Sequence, residues 1–399
     1  LSRELTNNLS KIEKKQYGIY FTPPDTVSKT IDILAPYLQD IHTVLEPSCG
    51  SCEYILSLHT KYPHLQITGI EYNNTIFKAI QILETVTSIK LYHVDFLTTT
   101  DDKKYDLIIG NPPYYVMKKG EVNKSYYPYF DGRPNIFILF LIKSLNLLQP
   151  NGFLSFILPK SFLNSIYYNK TRVHICTVCE IIHISECHDQ YLETQQETVL
   201  FIVKKITAPK NEPFIIDKNK CMILGDSINI KKINDLYRGS TTLSKMGFEV
   251  KVGTIVWNEH KSVLTDDSQY TRLVYSSDIK DNSLSMKSYK NDSKKNYIKK
   301  KGICEPMLVI NRGYGTGTYK FDYCIIHGNE KEYLIENHLI YVKCKRSIDN
   351  ETLLRMYNEI IRSFEDERTA QFIELYFGNN AINTTELCEM FPIYTDYTL

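Results

Sequence analysis

Seven short apolar runs, interleaved with stretches whose apolar residues recur every three or four positions, leave few alternatives for the first half of this chain. The runs fall at 43–46, 66–71, 91–94, 105–110, 152–158, 181–185 and 198–203, and the helical spacing at 27–37, 53–62, 75–87 and 135–148. Short apolar runs read as buried strands, and helices between them are the crossovers that parallel neighbours require. The expected class is therefore α/β, a sheet of parallel strands joined by helices. Thr22-Pro23-Pro24 precedes the first helical stretch as a start signal. From about Gly239 the alternation gives way to shorter apolar segments, turns and polar loops. A chain of 399 residues suits two domains, and the boundary is expected near Ser240: 1–240, then 241–399 with a different, mixed architecture.

Composition narrows the functional classes. With 43% hydrophobic and 23% charged residues the chain can bury sizeable cores. Its formal net charge of +1 supplies no global basic field, so nucleic-acid contact would need local clusters of Lys and Arg. The most basic stretch is 280–301, where Lys287, Lys290, Lys294, Lys295, Lys299, Lys300 and Lys301 face only Asp281 and Asp292. A solvated loop is the plain reading of such a run and a phosphate-contacting loop the sharper one. Residues 1–16 lack the apolar core of a signal peptide, and the apolar segment 136–148 is short and carries Lys143, so neither secretion nor membrane insertion is expected. Ten cysteines without a secretory signal point to a reducing compartment. Cys49/Cys52 and Cys176/Cys179 are too far apart in sequence for a compact zinc module, and no metal is expected.

The chemistry concentrates at the ends of the strands. Asn111-Pro112-Pro113-Tyr114 directly follows the apolar run 105–110, where open α/β sheets bind ligands. The same four residues would also make a strand-terminating turn. An aromatic amine is a poor nucleophile because its lone pair is delocalised into the ring. The Asn111 side-chain oxygen and the Pro112 carbonyl offer two acceptors for its N–H groups, and Tyr114 offers a ring on which a base can stack. Earlier in the chain, Glu46-Pro47-Ser48-Cys49-Gly50-Ser51-Cys52 is a small-residue loop between a strand and a helix, of the kind that lets a ligand approach the backbone. Glu71 ends the next strand, placed to accept ribose hydroxyls, and Asp95-Phe96 follows the third, offering a carboxylate and a ring to an adenine. The dinucleotide fingerprint G-x-G-x-x-G is absent, which disfavours a nicotinamide enzyme. Gly313-Tyr314-Gly315-Thr316-Gly317 lacks the strand and helix a phosphate loop needs and reads as a flexible loop.

These motifs, in this order, resemble the amino-methylating DNA methyltransferases that act on adenine N6, whose cofactor motifs precede the catalytic one and whose target-recognition domain comes last. The match spans roughly 17–205: Tyr17 to Pro23 resembles the N-terminal cofactor motif, 46–52 the Glu-Pro-x-x-Gly-x-Gly loop, and Asn111 to Tyr114 the catalytic motif. The resemblance implies a Rossmann-like sheet that binds S-adenosylmethionine through Thr22, Glu46, Gly50, Glu71, Asp95 and Phe96. It implies catalysis by Asn111, Pro112 and Tyr114 on a flipped-out adenine of double-stranded DNA. Tyr191, before Gln195-Gln196-Glu197-Thr198, is the candidate second stacking aromatic. Residues 241–399 become the target-recognition domain, with 250–258 resembling its opening. Further expectations are a cytoplasmic location, a monomer or weak dimer, a role in restriction-modification, and a separate cognate endonuclease if DNA is cut. Cys52 departs from the family pattern by replacing the loop's second glycine; being small, it should be accommodated unless the backbone there needs positive φ. The competing readings keep the same loop for RNA or a protein glutamine, or keep only a silent nucleic-acid-binding fold.

Overall fold

The computed structural model describes residues 20–100, 102–187, 197–287, 289, 293–312, 321–328, 331–377 and 382–395. The chain divides into two compact units, Leu1–Ile230 and Lys231–Leu399. The first runs α1 (Pro24–Leu38), β1 (Thr43–Glu46), α2 (Glu53–Lys61), β2 (Gln66–Glu71), α3 (Asn74–Ile80), β3 (Ile89–His93), β4 (Tyr105–Gly110), α4 (Ile136–Leu147), β5 (Leu148–Pro159), α5 (Asn169–Val178), β6 (Cys179–Cys187), β7 (Thr198–Lys205) and the hairpin β8 (Ile215–Lys218) and β9 (Cys221–Leu224). The unit ends within α6 (Ser227–Tyr237).

One sheet of seven strands organises this unit, in the order β3-β2-β1-β4-β5-β7-β6. Its strands follow period two. Ile108 of β4, Leu154, Phe156 and Leu158 of β5, and Val199, Phe201 and Val203 of β7 enter one apolar layer. Leu107, Ile109, Phe153, Ile157, Leu200 and Ile202 enter the other. Helix α4 is apolar on every side and lies buried in the first layer, whereas α1 and α2 cover the second with Val27, Ile31, Leu34, Ile55 and Leu58.

Three details differ from the sequence expectation. β7 pairs antiparallel with both β5 and β6, so the sheet is mixed. Only ten residues separate β6 from β7, too few for a crossover helix. The helix expected over 75–87 stops at Ile80 and continues as a 3-10 turn, Gln81–Thr85, where β-branched residues follow in close succession. Helix α5 was not anticipated, because the side chains it buries include Thr171 and Arg172 and leave no apolar stripe to read.

The second unit is built from short strands: β10 (Phe248–Val252), β11 (Leu264–Thr265), β12 (Thr271–Val274), β13 (Ile279–Lys280), β14 (Ser283–Leu284), β15 (Tyr297–Ile298), β16 (Met307–Asn311), β17 (Tyr323–Ile326), β18 (Tyr333–Ile335) and β19 (Leu339–Cys344). They form two four-stranded sheets, β10-β19-β16-β17 and β11-β15-β12-β18, and the pair β13-β14. The amphipathic helix α7 (Asn350–Phe364) buries Leu353, Met356, Tyr357, Ile360 and Phe364. Gly253 is required by contact: a Cβ there would lie 2.1 Å from the Glu336 carbonyl oxygen. No described helix is long and apolar enough to cross a membrane.

Candidate active site

The strand order reverses between β1 and β4, and open α/β sheets bind ligands outside the carboxyl ends of the strands at such a point. Glu46 ends β1, Glu71 ends β2, Asp95 follows β3 and Asn111 follows β4. A cleft of about 240 Å³, open to solvent, is lined there by Gly50, Glu71, Asp95, Phe96 and Asn111 together with Tyr20, Phe21 and Tyr115. A smaller recess of about 20 Å³ shares Tyr20, Phe21, Ser48, Gly50 and Asn111 with it and adds Thr22 and Glu46. Of the six residues expected to hold a cofactor, Gly50, Glu71, Asp95 and Phe96 line the cleft, and Thr22 and Glu46 line the recess that shares Gly50 with it. Of the four expected catalytic residues, Asn111 reaches the cleft, Pro112 is buried and Tyr114 is half-buried. Tyr191 lies outside the described residues, as do Tyr17 to Ile19 and the loop 313–317.

The carboxylates carry the electrostatics. Glu71 is buried, and its two oxygens accept from the backbone N–H of Gly50 at 2.9 Å and of Asn73 at 2.6 Å. Burial raises its pKa, and those hydrogen bonds partly oppose the rise. Glu46 is 4% exposed and its Oε2 has no hydrogen-bond partner. Burial holds its pKa well above the usual carboxylate value, and neighbouring Cys52, Glu53 and Glu71 push it further in the same direction. A buried carboxyl with an unsatisfied oxygen beside a recess suits a cationic ligand group, which would neutralise it and supply a donor.

The backbone of the cofactor loop turns left-handed twice, at Gly50 (φ +48°) and at Cys52 (φ +62°). Glycine takes that conformation freely, whereas an L side chain is held there at about 1–2 kcal/mol. Simple accommodation of Cys52 by its small size therefore fails: the position is one that needs positive φ, and the surrounding packing, with Cys52 fully buried, must sustain the strain.

Asn111 is fixed from both ends. Its Nδ2 donates to the Tyr20 carbonyl at 3.3 Å, and its Oδ1 lies 2.6 Å from the Tyr114 hydroxyl. Asp95 caps the turn after β3 by accepting from the Leu97 N–H at 2.9 Å. Phe96 packs its ring on Phe140 with centroids 5.1 Å apart.

Residues 26–192 match the model of the Eco57I restriction-modification methylase family. The type II methyltransferase M.CvrRI of Paramecium bursaria Chlorella virus XZ-6E is 27% identical over 402 residues, covering 98% of each chain. The modification methylase CviBIII of Paramecium bursaria Chlorella virus NC1A is 25% identical over 406 residues, covering 99% of this chain and 98% of that one. Along its whole length this chain is thus similar to methyltransferases of restriction-modification systems, and its activity is the methylation of DNA. A shorter likeness, 32% over 126 residues and 30% of this chain, is to the tRNA1(Val) (adenine(37)-N6)-methyltransferase of Vibrio cholerae serotype O1, strain M66-2, of which it covers 51%.

The methyl donor of this methyltransferase is S-adenosylmethionine, whose cationic and nucleoside portions suit the acidic and aromatic residues gathered around the cleft. Sequence reasoning missed part of the wall of its cleft. Tyr72, Asn73, Ile76, Tyr115 and Phe140 all line it, and each adjoins a recognised motif or lies on a helix without any chemical signature of its own. It also missed Lys143, legible only as the break in an apolar helix. Its ammonium donates to the carbonyls of Phe96 and Thr99 and to Thr99 Oγ1, tying α4 to the turn that carries Asp95 and Phe96.

Proposed function

We propose that the enzyme transfers the methyl group to the exocyclic N6 of an adenine extruded from double-stranded DNA. The observation that carries this reading is the place of Asn111: at the carboxyl end of β4, on the wall of the cleft that Glu71 and Asp95 also line. In this reading Asn111 Oδ1 and the Pro112 carbonyl accept the two N–H groups of the amine and aim its nitrogen lone pair. Glu46 pairs with the cofactor's ammonium, Glu71 with its ribose hydroxyls, and Asp95 and Phe96 with its adenine; Thr22 and Gly50 complete the wall. When bound, the cofactor supplies a sulfonium methyl carbon open to in-line displacement. The protein contributes position rather than a covalent intermediate, and the proton lost from nitrogen passes to solvent.

Adenine is favoured over cytosine by asparagine as the first residue of the catalytic motif and by the name of the Vibrio relative, whose likeness covers part of this chain. That relative acts on tRNA, so RNA is the second reading. Against it stand the full-length likenesses to a type II methyltransferase and a modification methylase, which extend through residues 231–399. Those residues serve in this reading as the target-recognition domain, and a separate endonuclease as the partner that makes modification protective.

The test is transfer from labelled S-adenosylmethionine to unmethylated duplex DNA, then digestion and mass spectrometry of the nucleosides. N6-methyladenine is expected from the wild type and none from Asn111→Ala, which should still bind cofactor. Label in transfer RNA alone would install the second reading, and full turnover by Asn111→Ala would remove the mechanism.

A further inference from the structure

The Tyr114 hydroxyl lies 2.6 Å from Asn111 Oδ1 and 2.7 Å from the Ile157 carbonyl oxygen. A phenol has one hydrogen, so it donates to only one of these two acceptors at a time. Asn111 Nδ2 meanwhile faces the Tyr20 carbonyl, which can only accept. A flipped amide would set oxygen against oxygen there, so Tyr20 and Tyr114 together determine that the amide oxygen points as it does. The ring is held from behind: it meets Phe137 edge-on at 6.1 Å and packs against the apolar layer around α4. β4 ends at Gly110, opposite Phe156, so beyond that point β4 no longer supplies partners to β5, and the Tyr114 hydroxyl reaches the next carbonyl, that of Ile157.

Asn111 Oδ1 is the oxygen required by the target amine, and in this structure the Tyr114 hydroxyl occupies one of its two acceptor positions, competing for the electron density the amine N–H would draw on. We propose that the Tyr114 hydroxyl is a hydrogen-bond switch: it orients the Asn111 amide while the site is empty and turns its hydrogen to Ile157 when an amine N–H arrives. No bond beyond hydrogen bonds is made or broken, and the buried carbonyl of Ile157 gains a donor as Asn111 Oδ1 exchanges one. Tyr114 acts through Asn111 and is a positioning residue. The proposal rests on the amine-methylating function given above.

Tyr114→Phe separates this role from ring stacking, because it keeps the ring and removes only the switch. The expected result is a fall of about tenfold in the single-turnover rate, the scale of one positioning hydrogen bond, with the affinity for S-adenosylmethionine and the half-saturating duplex concentration unchanged. Replacing Tyr114 by 3-fluorotyrosine, which retains the hydroxyl, should restore the wild-type rate. A phenylalanine variant as fast as the wild type, or a fluorotyrosine protein as slow as the phenylalanine variant, overturns the switch. If Tyr114→Phe melts below assay temperature, the side-chain amide signals of Asn111 in the unaltered protein give the answer. With a non-reactive cofactor analogue they should move on adding a duplex with adenine at the mapped target and stay in place when purine, which lacks the amine, replaces it; equal movement with both overturns the proposal. Wild-type protein that methylates no adenine would instead refute the functional reading itself.

Discussion

Glu46 shows how one side chain can be costly to the free protein and useful to its complex. Its carboxyl is buried with one oxygen unpartnered, and burial raises its pKa. The folded state therefore holds this proton more tightly than the unfolded state. The stability linked to it is fully present below the ordinary carboxylate range and is lost as pH rises through the raised value. Glu46→Gln keeps the shape and removes the titration. The cofactor-free variant should melt above the wild type at neutral pH, with the gap closing on acidification. It should bind S-adenosylmethionine at least about tenfold more weakly, the scale of a lost charge-assisted hydrogen bond. Wild-type binding should tighten as pH rises through the same range. Calorimetric titration and melting curves run upward in pH from the ordinary carboxylate range measure both; equal cofactor affinity in the two proteins would exclude Glu46 from the cofactor site. Cys52 presents a second conflict at this scale. Its identity departs from the family loop, and its backbone confirms that the position is one where glycine would be unstrained.

At the scale of elements, the strands and helices with strong periodicity were legible and those with polar interiors were not. Strands β1, β2 and β4 and helix α4 are continuous apolar runs or stripes bounded by turn residues, and such patterns depend only on neighbours in sequence. α5 carries no stripe because the centre of its buried face is Arg172. That side chain is fully buried and donates to the carbonyls of Met222 (2.7 Å), Phe162 (2.8 Å), Ser165 (2.7 Å) and Asn164 (3.3 Å). It ties α5, the turn after β5 and the β8-β9 hairpin into one piece, replacing apolar packing with a fan of charge-assisted hydrogen bonds. Arg172→Met, close in length, should strand several buried carbonyls and lower stability by about 3 kcal/mol. Urea denaturation at neutral pH gives the number, and a loss below about 1 kcal/mol, the usual effect of a substitution outside the core, would show that water replaces the guanidinium.

For the whole molecule, the question is how a chain with almost no net charge holds a polyanion. The basic stretch of the second unit is not uniform. Lys294 sits 4.1 Å from the Tyr275 ring centroid and 4.2 Å from that of Tyr289, with burial lowering its pKa, and Lys295 pairs with Asp266 at 2.6 Å. Lys299, Lys300 and Lys301 are exposed, whereas Lys290 lies outside the described residues. The stretch thus divides into lysines that brace the fold and lysines that face solvent, a division invisible in a count of charges. Replacing Lys299, Lys300 and Lys301 by Gln should weaken duplex binding and flatten its salt dependence, by up to about 0.9 in the log–log slope for each phosphate contact removed. Lys294→Gln should leave that slope unchanged and lower the melting temperature. An unchanged slope in the triple variant would return the run to a solvated face.

By itself the sequence determined the α/β class of the first unit, the strands whose ends carry Glu46, Glu71, Asp95 and Asn111, and the gathering of those residues at one edge of a sheet. Periodicity and strand-end motifs are local, and a parallel α/β sheet brings the carboxyl ends of its strands together whatever the loops do. Tertiary structure alone decided that β7 runs antiparallel, that Cys52 is left-handed, that Lys143 and Arg172 are internal braces, and that the Tyr114 hydroxyl faces Asn111 and Ile157. Each of these depends on partners distant in the chain, as in the contact between Asn111 and Tyr20, 91 positions apart. Such partners leave no periodic trace, because a hydrogen bond needs one donor and one acceptor in place and puts no constraint on the residues between them.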